Sequence, residues 1–358
     1  MHSADQNRSV LCPPPSALCP KAAGVLAPSS ALFAQKPRLA YILAASHSGS
    51  TLLAMLLGSH PEACTAGELK GVRGDSATYR CSCGIHIQDC EFWLQVNASM
   101  AARGFQFEIT RADTNIQGTD AAYIHRLLQP LHRGPLLELV REIGLAAHPR
   151  WHSHLRRIQD RNTALVGSLL GVSGAKVIID SSKVGLRLKY LLRNRSLDVR
   201  VLRLFRDGRG VSLTHTNPAE FADATDPRLR SGGTGIVRPD FRLSMHEAAW
   251  LWRRSNEEAD RATAALDSSQ CMPLRYEDLC LRPSETVGQI CHFLGISSQA
   301  VEENFRARKH QHVVGNGMRF DTTSELRADE RWKNHLSPDD LKTFDRVAGN
   351  LNRQYGYI

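Results

Sequence analysis

Long apolar runs are the first thing that this 358-residue sequence lacks. No stretch reaches the length of about 18 apolar residues that indicates a membrane-spanning helix. The first 35 residues show no basic start followed by an apolar run, so no secretory signal is predicted. No internal repeat is evident, and the nine cysteines form no regular framework. Together these absences favour a cytoplasmic protein with reduced thiols.

The composition is that of an ordinary globular protein, with 42% hydrophobic and 23% charged residues. The net charge of +9 favours anionic partners. Its basic residues are spread along the chain rather than gathered in blocks, which favours a small anionic ligand over nucleic acid. Residues 1–36 are rich in Pro, Ser and Ala, and we expect a disordered lead-in there. One domain is expected over residues 37–358.

Three segments repeat a pattern of strand, polar loop and helix. The continuous apolar run at 39–45 and the strand-like segments at 176–180 and 199–205 each lead through small or polar residues into a helical pattern. A further strand is expected at Met272–Arg275, before a helix at 283–294. Apolar runs without alternation are typical of strands buried on both faces of a parallel sheet. The pattern predicts an α/β fold, in which ligands bind beyond the carboxyl ends of the strands.

Helical spacing dominates two other parts of the chain. Residues 95–170 are predicted to be a helical insertion that covers the sheet, and residues 242–266 to be one long helix. The two tryptophans of that helix, Trp250 and Trp252, are interpreted as core residues. The stretch 217–240, with Gly232-Gly233 and three prolines, is predicted to be a loop or lid. The acceptor pocket is expected between the insertion and this loop.

The segment Ser46-His47-Ser48-Gly49-Ser50-Thr51 has the character of a phosphate-binding loop, because it links a strand to a helix through small residues. Exposed amides and the helix dipole favour an anion at such a place. It is not a Walker A loop, since no lysine precedes Ser50-Thr51 where that motif requires one. An ordinary capped turn is the alternative.

A second loop of the same kind follows the strand at 199–205. Arg206 ends that strand, and Thr214 lies two helical turns further on. An arginine and a hydroxyl at this spacing can both reach one phosphate, since the guanidinium binds phosphate oxygens in a bidentate manner. The alternative is a surface arginine next to a helix that Asp207 caps.

Taken together, these motifs resemble the sulfotransferases that use 3′-phosphoadenosine 5′-phosphosulfate (PAPS), most closely the tyrosylprotein and bacterial branch. The residues that carry the likeness stand in the family's order: Ser48-Gly49-Ser50-Thr51-Leu52-Leu53, His60-Pro61, Gly67-Glu68, Arg206-Asp207-Gly208-Arg209 and Arg275-Tyr276-Glu277-Asp278-Leu279. The resemblance implies a three-layer, nucleotide-kinase-like sandwich with a central parallel sheet. It also implies transfer of a sulfuryl group to a hydroxyl or amine of a small-molecule, glycan or peptide acceptor.

The resemblance assigns roles to individual positions. Ser48, Gly49, Ser50 and Thr51 are expected to hold the 5′-phosphosulfate, Arg206 and Thr214 the 3′-phosphate, and Tyr276 the adenine. In relatives a C-terminal loop closes over the nucleotide. Arg319, in the segment 312–319, is therefore expected to contact a phosphate, with Trp332 and Lys333 as anchors of the loop.

Three residues are expected to carry the chemistry. Glu68 lies 21 residues after His47, as the catalytic glutamate of tyrosylprotein sulfotransferases lies after the loop's basic residue, and it is the expected general base. His86 is a weaker alternative. His47 departs from the family, which has Lys or Arg there; a protonated histidine supplies charge, and a neutral one still donates a hydrogen bond. Lys183, in a segment that resembles one with an active-site lysine, is the other expected source of charge.

Cys81, Cys83 and Cys90 cluster near His86, but their spacing differs from that of common zinc sites. A packed loop is expected there and no metal, with a metal site or a redox pair as alternatives. Two other functions stay open for the whole chain. One is a nucleotide kinase or P-loop NTPase, and the other is a non-catalytic protein that binds a nucleotide or a sulfated glycan.

Overall fold

The computed structural model describes residues 36–71, 75–111, 114–118, 121–128, 134–222, 242–298, 305, 314, 317–320 and 326–358. The predicted N-terminal lead-in lies outside these residues except for Lys36. Most of the predicted lid at 217–240 and most of the segment 312–316 lie outside them as well.

The described core is a five-stranded sheet in which every strand pairing is parallel. Its order is β2-β3-β1-β4-β5. The strands are β1 (Arg38–Leu43), β2 (Ala63–Gly67), β3 (Val177–Lys183), β4 (Asp198–Phe205) and β5 (Cys271–Arg275). The predicted α/β fold with a parallel sheet is confirmed. Strand β2, with the sequence Ala-Cys-Thr-Ala-Gly, was not predicted, because it is short and built of small residues.

Helices cover both faces of the sheet, so the three-layer prediction is also confirmed. Side chains of β1 alternate between the two faces. Leu39, Tyr41 and Leu43 pack with α2 (Glu91–Ala102), α5 (Trp151–Ser173) and α6 (Gly185–Leu192). Ala40 and Ile42 pack with α1 (Ser50–Gly58), α10 (Tyr276–Leu281) and α11 (Pro283–Leu294). Burial on both faces explains why the strand sequence is apolar without alternation.

The remaining helices surround this sandwich. They are α3 (Ala122–Leu127), α4 (Gly134–Ala146), α7 (Gly208–Thr216), α8 (Pro218–Phe221), α9 (Met245–Thr263), α12 (Trp332–His335), α13 (Pro338–Phe344) and α14 (Asn350–Gln354). Four helices, α2 to α5, lie in the region predicted to be a helical insertion. No described helix has both the length and the apolar character needed to cross a bilayer.

One prediction about α9 is wrong. Trp252 is fully buried beside Phe344, as expected of a core residue, but Trp250 is 37% exposed and contacts the guanidinium of Arg254. Side chains two residues apart in a helix differ by about 200° around the helix axis, so the two tryptophans face opposite sides. Only one of them can reach the core.

Candidate functional site

The candidate site lies at the carboxyl edge of the sheet, where the loops that follow β1, β2, β3 and β4 meet. Strand register brings these loops together, since Leu43 pairs with Lys183 and Gly67 pairs with Asp180. Ligands of parallel α/β sheets bind at this edge. The sequence motifs singled out after β1, β3 and β4 therefore share one side of the molecule.

The loop after β1 enters α1 through two residues with positive φ. His47 has φ 61°, and Gly49, the N-cap residue of α1, has φ 85°. A β-carbon built on Gly49 would lie 2.4 Å from Cδ2 of Tyr276, so only glycine fits against that ring. His47 holds a conformation that non-glycine residues seldom adopt, and such strain is concentrated at functional sites.

This loop fits an anion. The hydroxyl of Ser48 is buried, and no hydrogen-bond partner for its Oγ exists within the described part of the chain. Ser50 and Thr51 open α1, whose first amides have no acceptor inside the helix. A phosphate or sulfate oxygen would satisfy these donors and would lie at the positive end of the helix dipole.

Glu68 follows β2 and is held between two lysines. Nζ of Lys183 lies 2.6 Å from Oε1, and Nζ of Lys70 lies 3.0 Å from Oε2. The side chains of Glu68 and Lys183 are each 16% exposed. Burial by itself would raise the pKa of Glu68, but the ammonium groups of Lys183 and Lys70 outweigh it and lower the pKa to about 2. The structure thus joins two of the three predicted catalytic residues.

Lys183 reaches Glu68 because of its backbone. It has φ 69°, and with His47 it is one of two described non-glycine residues with positive φ. Its placement depends on Asp180, which is fully buried in β3. Asp180 Oδ1 accepts hydrogen bonds from the amides of Ser182 (2.9 Å) and Leu69 (3.2 Å), and so ties the segment of Lys183 to that of Glu68.

Arg187 completes this support from α6. Its guanidinium lies 3.1 Å from Oδ2 of Asp180 and also donates to the carbonyl of Thr114 and to Oδ1 of Asn162. Sequence reasoning missed Asp180 and Arg187 as site residues. The only available signal was a carboxylate at the end of an apolar strand, in the segment Asp180-Ser181-Ser182-Lys183.

Arg206 binds the first loop directly. Its side chain is 1% exposed and donates to the carbonyl of His47 at 2.7 Å, while its guanidinium carbon lies 4.5 Å from the centre of the Tyr276 ring. It also pairs with Asp329 at 2.7 Å. The loop, the arginine and the tyrosine therefore form one connected group, as the motifs predict, although Asp329 was not foreseen.

Asp329 is shared by two arginines. Arg331 donates to Oδ1 at 2.7 Å and to Oδ2 at 2.8 Å, and it shares Oδ2 with Arg206. Burial tends to raise the pKa of Asp329, but the hydrogen bonds from Arg331 and the charges of both arginines lower it well below its ordinary value. Two guanidinium groups around one carboxylate form a setting that suits a phosphate equally well.

The two other predicted phosphate contacts, Thr214 and Arg319, make hydrogen bonds to backbone carbonyls. Thr214 is fully buried, with its hydroxyl 3.1 Å from the carbonyl of Gly210. Arg319 is buried too, donates to the carbonyl of Arg80 at 2.9 Å and lies over the ring of Tyr79.

The weaker candidates have structural contacts of their own. His86 pairs through its backbone with Arg80, in the loop that holds the cysteines. Trp332 lies under the guanidinium of Arg209, with 3.9 Å between the guanidinium carbon and the ring centre. Lys333 pairs with Glu330 at the surface.

Comparison with known proteins supports the resemblance. Residues 215–300 match the model of the "Sulfotransferase family", which confirms the predicted resemblance to sulfotransferases in general. No curated protein matches the chain. Similar solved structures include the sulfotransferase domain of the curacin biosynthetic pathway, at 14% identity and a TM-score of 0.44, over 90% of this chain and 98% of that one.

Two further solved structures have comparable similarity. The sulfotransferase domain of the Synechococcus PCC 7002 olefin synthase is 18% identical over 91% of this chain and 97% of its own, with a TM-score of 0.43. A sulfotransferase from Mycobacterium avium is 12% identical over 91% of this chain and 79% of its own, with a TM-score of 0.43.

Proposed function

We propose that this chain is a sulfotransferase that moves a sulfuryl group from PAPS to a hydroxyl or amine acceptor. One observation carries the proposal: the Glu68–Lys183 pair lies at the same sheet edge as the loop after β1, whose glycine packs on Tyr276 and which is the proposed anion site. The family match over residues 215–300 supports it. The acceptor is a small molecule, a glycan or a peptide.

The loop after β1 is proposed to hold the 5′-phosphosulfate. Among the described residues the buried hydroxyl of Ser48 has no hydrogen-bond partner, so an oxyanion bound against this loop would supply one, and Gly49 packs the loop on Tyr276. Ser50 and Thr51 add hydroxyl donors at the start of α1. His47 then donates a hydrogen bond to the phosphosulfate, or places a positive charge beside it, at the position where relatives have Lys or Arg.

The nucleoside end is proposed to lie by Arg206 and Tyr276. Because Arg206 already pairs with Asp329, a 3′-phosphate would take the place of that carboxylate and be held by Arg206 and Arg331. Thr214 and Arg319 remain proposed phosphate contacts, and both must change their present hydrogen bonds to serve as such. Tyr276 would pack near the adenine.

The residues of the Glu68–Lys183 pair divide the reaction between them. Lys183 places positive charge where the bond to the leaving phosphate oxygen breaks, which stabilises the charge that develops there. Glu68 accepts a hydrogen bond from the acceptor group and takes its proton as the new bond to sulfur forms. A carboxylate with a pKa of about 2 is a weak base. It suits a loose transition state, in which the proton leaves late.

Movement of Lys183 away from Glu68 during the reaction would also make Glu68 a stronger base. When Lys183 turns toward the leaving oxygen, Glu68 loses the nearest of its two ammonium groups. Its affinity for a proton then rises at the stage when the acceptor must give one up. Lys70 stays on the other carboxylate oxygen and keeps Glu68 in position.

A nucleotide kinase is disfavoured because Ser50, between Gly49 and Thr51, stands where a Walker A loop has its lysine. The decisive measurement is isothermal titration of the full chain with adenosine 3′,5′-bisphosphate, and with ATP and Mg²⁺ as the comparison. We expect bisphosphate binding in the micromolar range. An absence of heat at high micromolar bisphosphate would contradict the proposal, and turnover of ATP would revive the kinase.

Transfer itself is tested with PAPS labelled in its sulfuryl group and a broad panel of acceptors. Label should appear in an acceptor class with the wild-type chain and be absent with Lys183→Met. Tight bisphosphate binding without transfer to any acceptor would instead favour a non-catalytic nucleotide-binding protein.

A further inference from the structure

Three cysteine sulfurs come together in the loop before α2. The sulfurs of Cys81, Cys83 and Cys90 all lie within 4.8 Å of one another, although their sequence spacing favoured a packed loop over a metal site or a redox pair. No disulfide joins these three described residues. Cys81 and Cys90 are buried, and Cys83 is exposed, so the cluster has one side open to solvent.

The distances suit shared coordination better than a covalent bond. Sγ of Cys83 lies 3.7 Å from Sγ of Cys90. Two sulfurs that each lie about 2.3 Å from a tetrahedral zinc ion are about 3.8 Å apart. A disulfide requires about 2.05 Å. The observed pair is therefore already close to the separation of two ligands of one ion.

The local backbone is also shaped around the sulfurs. The segment Cys81–Gly84 is a tight turn, in which the amide of Gly84 donates to the carbonyl of Cys81 at 2.9 Å and Gly84 has φ 86°. Backbone groups of Cys83 and Ile85 hydrogen bond to the sulfurs of Cys81 and Cys83. Such amide donors orient and stabilise metal-bound thiolates.

Cys90 reaches the cluster from a different element. It is the N-cap residue of α2, so the start of that helix fixes its position beside the turn. The turn and the helix start thus present three sulfurs to one point.

We propose that Cys81, Cys83 and Cys90 bind one thiophilic divalent cation, of the chemical class of Zn²⁺, with a solvent molecule as fourth ligand on the exposed side. Three thiolates and a water complete a tetrahedral set. The proposal does not depend on the sulfotransferase activity.

The cation would clamp a loop that supports a predicted site residue. The carbonyl of Arg80 accepts a hydrogen bond from Arg319, and the ring of Tyr79 lies under the same guanidinium. Cys81 follows these two residues directly and packs in the main core. Metal binding at Cys81 would therefore fix the backbone on which Arg319 rests.

The test uses the full chain purified with reductant and without chelators. We expect one equivalent of bound zinc per chain by elemental analysis. After exchange for Co²⁺, we expect thiolate-to-cobalt charge-transfer absorption and the visible bands of a tetrahedral site. Cys83→Ser removes an exposed ligand without opening the core, and should lower the Co²⁺ affinity by more than about 100-fold, the upper end of losses seen for outer-shell partners.

Cys271→Ser is the matched control, because Cys271 is half-buried in β5 and outside the cluster. It should retain one equivalent of metal and the wild-type spectrum. The proposal is overturned if wild-type protein takes up no Co²⁺, or if Cys83→Ser binds it as tightly as wild type. A disulfide between Cys83 and Cys90 in freshly purified protein, found by thiol counting in denaturant, would also overturn it.

Discussion

Lys183 donates a 2.6 Å hydrogen bond to Glu68, and the two residues belong to the ends of neighbouring strands, 115 positions apart in sequence. The pair exists because β2 and β3 are parallel, so that Glu68, which follows β2, and Lys183, the last residue of β3, come to one edge. Positive φ at Lys183 then turns its side chain toward β2. This arrangement makes Glu68 an ionised, positioned carboxylate.

Replacement of Glu68 tests the base directly. Glu68→Gln keeps the shape and still accepts a hydrogen bond from Lys183, but it cannot take a proton. We expect kcat to fall by about 100-fold or more, with an unchanged Kd for adenosine 3′,5′-bisphosphate. Glu62→Gln is the control, since Glu62 is also paired with a lysine, Lys176, at the other end of β2. An equal loss of kcat in both variants would remove Glu68 from the mechanism.

The same carboxylate should shape the acid stability of the protein. Its pKa is about 2 in the folded chain and 4.5 ordinarily, so its stabilising contribution is complete above pH 4.5 and is lost as the pH falls toward 2. The difference corresponds to roughly 3 kcal/mol at most. Denaturant unfolding from pH 7 to pH 2 should therefore show a shallower acid loss in Glu68→Gln than in wild type. Parallel curves would contradict this.

The contribution of the His47 ring to activity can be tested separately from the strain of its backbone. His47→Ala leaves the positive φ unchanged and removes the ring, so we expect kcat/KM to fall by about tenfold or more, as for the loss of a charged hydrogen bond. His47→Lys restores the residue type of relatives and should keep activity. His215→Ala is the control, because it removes the ring contact between the two histidines but not the loop donor. Equal activity of wild type and His47→Ala would leave His47 without a role.

Gly49 offers a test of the close packing under the proposed phosphate-binding loop, Ser46 to Thr51. Gly49→Ala and Gly104→Ala share the cost of a β-carbon at positive φ, about 1–2 kcal/mol. Only Gly49→Ala adds a contact with Tyr276, whereas no heavy atom lies within 4 Å of a β-carbon at Gly104. We expect a more than tenfold loss of bisphosphate affinity in Gly49→Ala and none in Gly104→Ala, measured by titration calorimetry.

Asp329 is predicted to occupy the place of the 3′-phosphate. In Asp329→Asn the charges of Arg206 and Arg331 lose their counterion, so the unliganded variant should melt at a lower temperature than wild type. Adenosine 3′,5′-bisphosphate should raise Tm more in the variant than in wild type, and adenosine 5′-monophosphate should not. Asp339→Asn, at a surface carboxylate, is the control. Equal Tm gains from the two nucleotides would contradict the assignment.

Most of the sheet could be predicted because strands buried on both faces are rich in apolar residues. That pattern is clearest in β1 and at the start of β3, and β4 keeps it apart from Asp198, Arg200 and Arg203. Strand β2 was missed because the small residues of Ala63–Gly67 give no hydrophobic signal. Small residues suit this strand, since it lies beside β3 and its Gly67 pairs with Val314. The segment of α9 was correctly predicted to be a helix. Whether Trp250 is buried, however, depends on which face of that helix meets the core.

By itself, the sequence determined the parallel α/β fold and the order of its loops, since local patterns of polarity, small residues and turns suffice for both. Glu68 and Lys183 could be named separately. Only the tertiary structure decided that they are partners, that Asp180 and Arg187 hold them, and that Asp329 lies between Arg206 and Arg331. Those relationships join residues far apart in the chain, and their distances follow from strand register and packing, which no local pattern encodes.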